Sequence, residues 1–268
     1  MTLAVCATPI GNLDDVTLRV LAELREADLV LAEDTRHTRG LLQRHGIEAK
    51  LLSYHEHNEA SRVAELLPRI VAGERIALVS DAGLPGISDP GARLVRAALD
   101  AGAAVSVLPG ASAVETALVA SGLVSERYAF VGFLPRRAGE RTALWEELAG
   151  WGWPVVAFES AQRLGASLRS LAAVTPERDV VVCRELTKRF EEVVRGAASS
   201  LADRYAEPPK GEITLVLGPP PKLIPPGGDA AGEAVAELVA AGTPRKVAVD
   251  VVSRLTDMPR NDLYRDSL

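Results

Sequence analysis

The sequence has few cysteines, few aromatic residues and no long apolar run. Its two cysteines, Cys6 and Cys183, lie far apart, which excludes a CxxC motif and favours a reducing compartment. No apolar stretch approaches the ~20 residues that cross a bilayer. The first residues carry no basic segment and soon reach two aspartates, so they do not resemble a secretory signal. We therefore expect a soluble, cytoplasmic protein without a membrane segment.

Several catalytic motifs are also missing. The four histidines form no HExxH motif and no cysteine pair accompanies them, so we expect no metal site. His55 and His57 remain the alternative as a ligand pair. No G-x-S-x-G segment is present, which argues against a serine hydrolase. The absence of GxGxxG and GK[ST] from the first loop excludes a dinucleotide fingerprint and a Walker loop.

The proportions of hydrophobic and charged residues are those of a globular protein. Of the 268 residues, 47% are hydrophobic and 25% are charged, and the length suits one large domain or two ordinary ones. The formal net charge of −6 disfavours general binding to nucleic acid, which usually needs a basic domain. A local basic patch would still suffice to face RNA.

Strand-like and helix-like segments alternate along most of the chain, which predicts an α/β fold with mostly parallel sheets flanked by helices. The pattern restarts after Gly122. It predicts an N-terminal lobe over residues 1–121 and a C-terminal lobe over 127–218, with a cleft between them. Residues 228–268 hold short helical patterns, which predict a small helical tail. A stiff linker precedes this tail and contains Pro219, Pro220, Pro221, Pro225 and Pro226.

Glycine- and proline-rich segments follow three of the predicted strands. They are Ala7–Leu13, Ser80–Gly91 and Pro109–Glu115. Ligands of open α/β sheets bind beyond the carboxyl ends of strands, and glycine lets the backbone approach a ligand closely. The first segment also has the pattern of a simple tight turn, so both interpretations stay open for it.

The other two segments have partly structural explanations. Asp89 suits a helix N-cap and Pro90 suits the first helical position. Asp81 directly follows an apolar strand and has no such local role, which favours a carboxylate that accepts hydrogen bonds from the ribose or amine of a ligand. Ser112 and Glu115 fit a capping box, and the same helix start would point backbone N–H groups at a ligand.

Basic residues recur where predicted strands end. A solvated loop end explains any one of them, but their shared position predicts a basic rim that holds a phosphate backbone. The rim residues are Arg36, Arg136, Arg137, Arg184, Lys188, Arg189 and Lys210.

A series of long motifs, in register from about residue 3 to residue 218, resembles one known family. The motifs read ATPIGNLDDVTLR, LAEDTRHTRGLL, SYHEHNE, LVSDAGLPGISDPG, LPGASA, GFLPRR, FES, CRELTKRFEE and GEITLVLG. On these motifs the sequence resembles the 16S rRNA cytidine 2′-O-methyltransferases of the tetrapyrrole methylase superfamily. Its first loop reads TPIGN, where the wider superfamily often has GxGPG.

The resemblance implies two α/β lobes that bind S-adenosylmethionine in the cleft, usually as a homodimer. It implies methyl transfer to the ribose 2′-hydroxyl of a cytidine in the decoding region of 16S rRNA, within the small ribosomal subunit. The cofactor contacts that it implies are Pro9, Asp81, Ala82, Gly83, Leu84, Ile87, Ser112, Ala113, Phe158, Leu186 and Thr214. The basic rim would then contact the RNA.

The implied reaction is a direct displacement at a methyl group, so the protein mainly has to hold donor and acceptor in line. It needs no metal and no covalent intermediate, but a base that takes up the hydroxyl proton assists it. The sequence does not choose among the candidate bases Asp34, Glu56, Glu159, Glu185 and Lys210. The lysine would need a pKa lowered by burial or by a neighbouring cation.

Two other functions stay open at the level of the sequence. A small-molecule methylase acting on a tetrapyrrole ring would need an apolar, aromatic-lined trough, whereas only 4% of the residues are aromatic. A non-catalytic module that binds ribosomes or senses nucleotides would bind the cofactor without turnover.

Overall fold

A computed structural model describes residues 2–220, 228–256 and 258–267. The chain divides into two compact units, Met1–Pro220 and Pro221–Leu268. Within the described ranges, no helix combines the length and the apolar character needed to cross a membrane.

Five parallel strands form the first sheet, in the order β3-β2-β4-β1-β5. They are β1 (Leu3–Cys6), β2 (Leu29–Ala32), β3 (Leu51–Ser53), β4 (Ile76–Val79) and β5 (Val105–Leu108). The three central strands are short apolar runs whose residues are all buried, because helices cover both faces of the sheet. The parallel arrangement predicted for this part of the chain is confirmed.

The helices around the first sheet pack on its two faces. They are α1 (Leu18–Glu26), α2 (Thr35–Arg44), α3 (Glu59–Val71) and α4 (Ala92–Asp100), with a short 3-10 helix at Leu13–Asp15. Alternate residues of β1 point to opposite faces, so Ala4 joins the core under α1 and α2 while Leu3 joins the core under α3 and α4. Helices therefore cover both faces of the sheet.

The second sheet is mixed, in the order β6-β7-β10-β8-β9. Its strands are β6 (Ala129–Phe133), β7 (Val155–Ser160), β8 (Asp179–Arg184), β9 (Glu192–Ala197) and β10 (Glu212–Leu217). Only β6 and β7 pair in parallel, while β10 is antiparallel to β7 and β8, and β9 is antiparallel to β8. The α/β class is confirmed, but the expectation of parallel strands is wrong for this sheet. A short connection from β8 to β9 returns the chain as a hairpin, which can only pair antiparallel.

Four further helices accompany the second sheet. They are α5 (Ala113–Ser121), α6 (Ala138–Ala149), α7 (Leu164–Ala172) and α8 (Ala198–Arg204). Although α5 precedes the predicted lobe boundary, its Ala117 and Leu118 pack against Val156 and Val216 of the second sheet. The helix therefore packs on the second sheet although it directly follows β5 of the first, and the division into lobes at residues 121–127 stays a prediction.

The second compact unit is helical, as predicted. Its described helices are α9 (Gly228–Ala240), α10 (Arg245–Thr256) and α11 (Arg260–Asp266). They share a small core around Val235, Val249 and Leu263. Pro221, Pro225 and Pro226 of the predicted linker lie outside the described residues.

Candidate functional site

A cavity of about 760 Å³ lies between the ends of the first-sheet strands and the second sheet. Its first-sheet side consists of the loops after β1, β2, β4 and β5, and is lined by Ile10, Glu33 and residues 81–84, 87–89 and 109–115. Its second-sheet side is lined by Tyr128, Phe130, Phe133, Cys183, Leu186 and residues 158–161 and 211–214. This is the position in which open α/β sheets bind ligands.

The long loop after β4 is tied to the end of β1. The backbone N–H of Thr8 donates to the carbonyl of Gly83 at 2.8 Å, and the N–H of Gly83 donates back to Thr8 at 3.1 Å. The Thr8 hydroxyl also donates to the Ser80 carbonyl at 3.0 Å. The first two glycine-rich segments of the sequence therefore form one wall of the cavity.

The end of the same loop corrects the expected start of the next helix. The N-cap of α4 is Gly91, with φ of 138°, and the helix begins at Ala92. A Cβ atom on Gly91 would lie 2.9 Å from the Leu78 side chain, so the turn requires glycine. The prediction that Asp89 caps this helix, with Pro90 in its first turn, is wrong, because the chain turns once more before the helix starts. Asp89 lines the cavity instead.

Asp81 has a local role that the sequence did not indicate. Its carboxylate accepts a hydrogen bond from the backbone N–H of Asp34 at 3.0 Å, which links the end of β4 to the end of β2. The Asp81 backbone N–H in turn faces the Glu33 carboxylate. Both side chains still line the cavity, so these structural hydrogen bonds do not remove them from its wall.

All charged residues that line the cavity are acidic. They are Glu33, Asp81, Asp89, Glu115, Glu159 and Glu212, and no lysine, arginine or histidine of the described chain lines it. Burial, together with the charges of Glu33 and Asp81, raises the pKa of Asp89 to about 7. Burial and the charge of Asp81 also raise the pKa of Glu33. Such a cavity attracts a cation.

The opposite wall is aromatic. The ring of Phe158 lies edge-on to Phe130 at 4.9 Å and to Phe133 at 5.4 Å between centroids. The Tyr128 hydroxyl donates to Glu115 at 2.6 Å across the mouth of the cavity. Burial raises the pKa of the Cys183 thiol to about 11, so this cysteine stays protonated and is a poor nucleophile.

The loop that follows β8 closes against the first loop of the chain. The backbone N–H of Asn12 donates to the Thr187 hydroxyl at 3.0 Å. A Cβ atom on Gly11 would lie 2.5 Å from the Lys188 side chain, so this close approach requires glycine. Glu185 and Thr187 both have positive φ angles, of 52° and 64°. The contact holds Leu186 in the cavity wall.

The start of α5 confirms Ser112 as the N-cap residue but corrects the predicted capping box. The Ser112 hydroxyl donates to the Glu115 carboxylate and does not accept from a backbone N–H. The first-turn N–H groups of α5 are therefore not satisfied by this side chain, and they belong to residues that line the cavity.

Three of the candidate bases have carboxylates that are engaged structurally. The Asp34 carboxylate accepts from the N–H of Arg36 at 2.8 Å as the N-cap of α2, and its bonds with the Arg36 side chain hold its pKa far below the usual range. The buried Glu159 carboxylate lies 2.5 Å from both the Arg163 guanidinium and the Ser167 hydroxyl. The ammonium group of Lys188 lies 2.9 Å from Glu185 and lowers the pKa of that carboxyl. Only Glu159 of these three lines the cavity.

The remaining two candidates, Glu56 and Lys210, are exposed and do not line the cavity. The carbonyl of Lys210 accepts a hydrogen bond from Arg184 at 3.3 Å. Conversely, sequence reasoning did not select Glu33 or Asp89 for the site. Two sequence patterns could have identified them. Glu33 is an acidic residue directly after an apolar strand, and Asp89 is a second aspartate in the glycine-rich loop after Asp81.

The predicted basic residues lie around strand ends, but most are paired with acids. Arg36 pairs with Asp34, Arg137 with Glu140, Arg184 with Glu192, and Lys188 with both Glu185 and Glu212. Among the described residues, the rim members Arg136, Arg189 and Lys210 form no ion pair, and Arg189 lies 5.5 Å from the Phe190 ring. A contact between these residues and RNA stays a prediction.

The predicted cofactor contacts lie together in the cavity wall, with one exception. Asp81, Ala82, Gly83, Leu84, Ile87, Ser112, Ala113, Phe158, Leu186 and Thr214 all line it. Pro9 is buried beside the wall and does not line it. Acidic side chains facing aromatic rings suit a cationic ligand that carries a flat ring. S-adenosylmethionine has both features, a positively charged sulfur and an adenine ring. No group of His, Cys, Asp and Glu side chains suited to a metal ion occurs within the described ranges.

The fold and the cavity define a two-sheet α/β protein with an acidic cavity where its parallel strands end. More particularly, the chain belongs to the Tetrapyrrole (Corrin/Porphyrin) Methylases, whose family model matches residues 2–202. The resemblance drawn from the motifs is therefore confirmed.

Its relatives have a more specific name. Ribosomal RNA small subunit methyltransferase I of Streptococcus pyogenes serotype M1 is 46% identical over 217 residues, which cover 81% of this chain and 76% of the relative. The protein of the same name from Halalkalibacterium halodurans is 40% identical over 98% of this chain and 93% of its own length. Uroporphyrin-III C-methyltransferase from Thermus thermophilus, solved in complex with S-adenosylhomocysteine, shares the fold with a TM-score of 0.56. It is 19% identical, over 81% of this chain and 96% of that one.

Proposed function

We propose that this protein transfers the methyl group of S-adenosylmethionine to the ribose 2′-hydroxyl of a cytidine in the decoding region of 16S rRNA, within the small ribosomal subunit. The observation that carries the proposal is a cavity whose charged lining is entirely acidic and whose opposite wall is aromatic. The names of relatives at 40–46% identity support the ribosomal acceptor.

The cavity suits the methyl donor in charge and in shape. When bound, S-adenosylmethionine supplies an electrophilic methyl group on a positively charged sulfur, and its amino group is also positive. Asp81 and its acidic neighbours would stabilise these charges, and the aromatic rings around Phe158 would contact the adenine. The N–H groups that begin α5, at Ala113, would face the carboxylate of the donor.

The acidic lining also favours a particular mode of RNA binding. Phosphate groups are repelled from the cavity, so the RNA backbone would stay at the rim while one ribose enters. Arg136, Arg189 and Lys210 are the rim residues without an ion pair in the described chain, and they would contact phosphate most readily. The net charge of −6 is compatible with docking on an assembled subunit that presents proteins as well as RNA.

The alternative acceptor is a tetrapyrrole. Four aromatic residues line the cavity in a chain with few of them, namely Tyr128, Phe130, Phe133 and Phe158. This wall weakens the sequence-based argument against an apolar trough. The proposal of an RNA acceptor therefore depends on the relatives and on the rim arginines.

One experiment separates the alternatives. Small subunits that lack the modification are incubated with the full chain and S-adenosylmethionine, and the rRNA nucleosides are analysed by mass spectrometry. We expect 2′-O-methylcytidine from the decoding region, and no methylation of uroporphyrinogen in a parallel reaction. Cofactor binding without any methylated nucleoside would instead indicate a non-catalytic module. The family resemblance also supports a cytoplasmic homodimer, and light scattering of the full chain measures its oligomeric state.

A further inference from the structure

We propose that Asp89 is the base that takes up the proton of the ribose hydroxyl during methyl transfer, an inference that rests on the proposed function. It names a catalytic residue that neither the motif pattern nor the helix-capping pattern of the sequence selected.

The loop after β4 places Asp89 in the cavity wall through an unusual backbone conformation. Ser88, directly before it, has φ of 62°, a left-handed conformation that costs energy for a residue with a side chain. The turn does not serve to cap α4, because Gly91 is the N-cap. Strained residues persist where surrounding contacts hold them in place, and they cluster at functional sites.

The other carboxylates of the cavity already have hydrogen-bond or ion-pair partners within the protein. Glu115 accepts from the Tyr128 hydroxyl, Glu159 pairs with Arg163, and Glu212 pairs with Lys188. Asp81 accepts from the N–H of Asp34, and Glu33 faces the N–H of Asp81. Within the described ranges, Asp89 has no cation and no backbone N–H as a partner.

The surroundings of Asp89 bring the pKa of its carboxyl group close to neutral pH. Burial and the charges of Glu33, after β2, and of Asp81, in the same loop, raise its pKa, while the Ser80 hydroxyl acts in the opposite direction. The resulting pKa of about 7 is close to the value that serves a general base best at neutral pH. A base of this strength is half ionised before the reaction and can accept and release a proton.

The proposed step balances as follows. The ribose oxygen uses an electron pair to form the new O–CH₃ bond as its O–H proton passes to the Asp89 carboxylate. The C–S bond of the sulfonium breaks and its electrons stay on sulfur, which becomes a neutral thioether. The protonated Asp89 then loses its proton to water.

The test compares Asp89→Asn and Asp89→Glu with Asp100→Asn, which removes an exposed carboxylate at the end of α4. A general base contributes typically 100-fold or more, so Asp89→Asn should lower kcat by about 100-fold, while Asp89→Glu retains more activity. The wild-type kcat/KM, which reports the unliganded enzyme, should fall about tenfold per pH unit below pH 7, and this fall should be absent from the residual kcat/KM of Asp89→Asn. Asp100→Asn should match the wild type.

A second readout does not depend on turnover. Binding of cationic S-adenosylmethionine favours ionised Asp89, so calorimetry in buffers of different ionisation enthalpy should record proton release near pH 7. Asp89→Asn should reduce this release, and Asp100→Asn should not. A loss of kcat smaller than about tenfold in Asp89→Asn, or an unchanged pH profile, would overturn the role of Asp89. A wild-type protein that produces no methylated cytidine would count against the proposed function instead.

Discussion

The carboxylates on the two sides of the cavity differ in their partners. On the second-sheet side, Glu159 lies 2.5 Å from Arg163 and Glu212 lies 2.6 Å from Lys188. On the first-sheet side, Glu33, Asp81 and Asp89 form no ion pair within the described chain. Both sides are therefore acidic, but only one is neutralised by the protein itself.

This difference indicates different roles for the carboxylates on the two sides of the cavity. A buried charge that is paired within the protein mainly maintains the fold, because removal of one partner leaves the other uncompensated. Neighbouring carboxylates without a cation repel each other and lower the stability of the native state. Such a cost is characteristic of sites that become favourable only when a ligand supplies the missing charge. We therefore expect the ligand to bind mainly on the first-sheet side.

The largest expected effect is a loss of stability when an ion pair on the second-sheet side of the cavity is removed. Glu159→Ala removes the partner of Arg163, the Ser167 hydroxyl and the Ser160 N–H, and should lower the free energy of unfolding by about 3 kcal/mol in urea titrations. Glu140→Ala, which breaks only the exposed pair with Arg137, should cost less than about 1 kcal/mol. Equal losses in the two variants would mean that the buried pair is not a framework element.

The next effect concerns the rim. Arg136→Glu combined with Arg137→Glu should lower kcat/KM for small subunits roughly tenfold or more, because the reversed charges repel the RNA phosphates. Affinity for S-adenosylmethionine, measured by calorimetry, should not change. Arg96→Glu on α4 controls for charge reversal at an exposed arginine away from the cavity. Undiminished turnover in the double variant would remove this stretch from the RNA-binding surface.

A smaller effect tests the unpaired side directly. Asp81→Asn keeps the oxygen that accepts from the Asp34 N–H but removes the negative charge. Affinity for S-adenosylmethionine should fall by about tenfold, the usual worth of a charged hydrogen bond, while the melting temperature stays close to that of the wild type. Unaltered affinity in calorimetry would show that Asp81 serves the loop only.

The smallest effect is on the pH dependence of stability. Asp89 binds its proton more tightly in the folded state, with a pKa raised from 3.8 to about 7, so stability should decrease as the pH rises between these values. Asp89→Asn should remove part of this decrease and add on the order of 1 kcal/mol at pH 7.5, allowing for the solvent that reaches a half-buried carboxyl.

The opposite sign applies to Glu185, whose lowered pKa stabilises the fold at neutral pH and loses this contribution as the pH falls through the acidic range. Urea unfolding of Asp89→Asn at pH 5 and pH 7.5, and of Glu185→Gln at about pH 3.5 and pH 7.5, measures the two contributions against the wild type. If Asp89→Asn is less stable than the wild type at pH 7.5, the charges on the first-sheet side do not repel as described.

Local sequence patterns predicted much of the secondary structure. The helix at Leu164–Ala172 and the buried strand at Ile76–Val79 both belong to the alternation of helix-like and strand-like segments that the sequence predicts. β9 was not predicted, because Arg195 and Gly196 interrupt its apolar pattern. The direction of β10 was missed because strand direction depends on pairing partners distant in the sequence and not on the strand itself.

The site was predicted unevenly for a similar reason. Most of its proposed cofactor contacts came from motifs that resemble a family, and they do line one cavity. Asp89 was assigned to a helix cap because its local pattern fits one, and Glu33 was not selected at all. Both belong to the site only because loops after β2 and β4 lie side by side in the folded sheet.

The sequence by itself determined the α/β class, the parallel first sheet, the family and the glycine-rich loops, since these depend on patterns within short stretches of chain. Only the tertiary structure decided which charges meet. Arg163 and Lys188 neutralise carboxylates of one wall, whereas Glu33, Asp81 and Asp89 come together with no ion pair among the residues that the structure describes. The pKa of a carboxyl depends on its burial and on charges a few ångströms away, and both are set by contacts between segments far apart in the sequence.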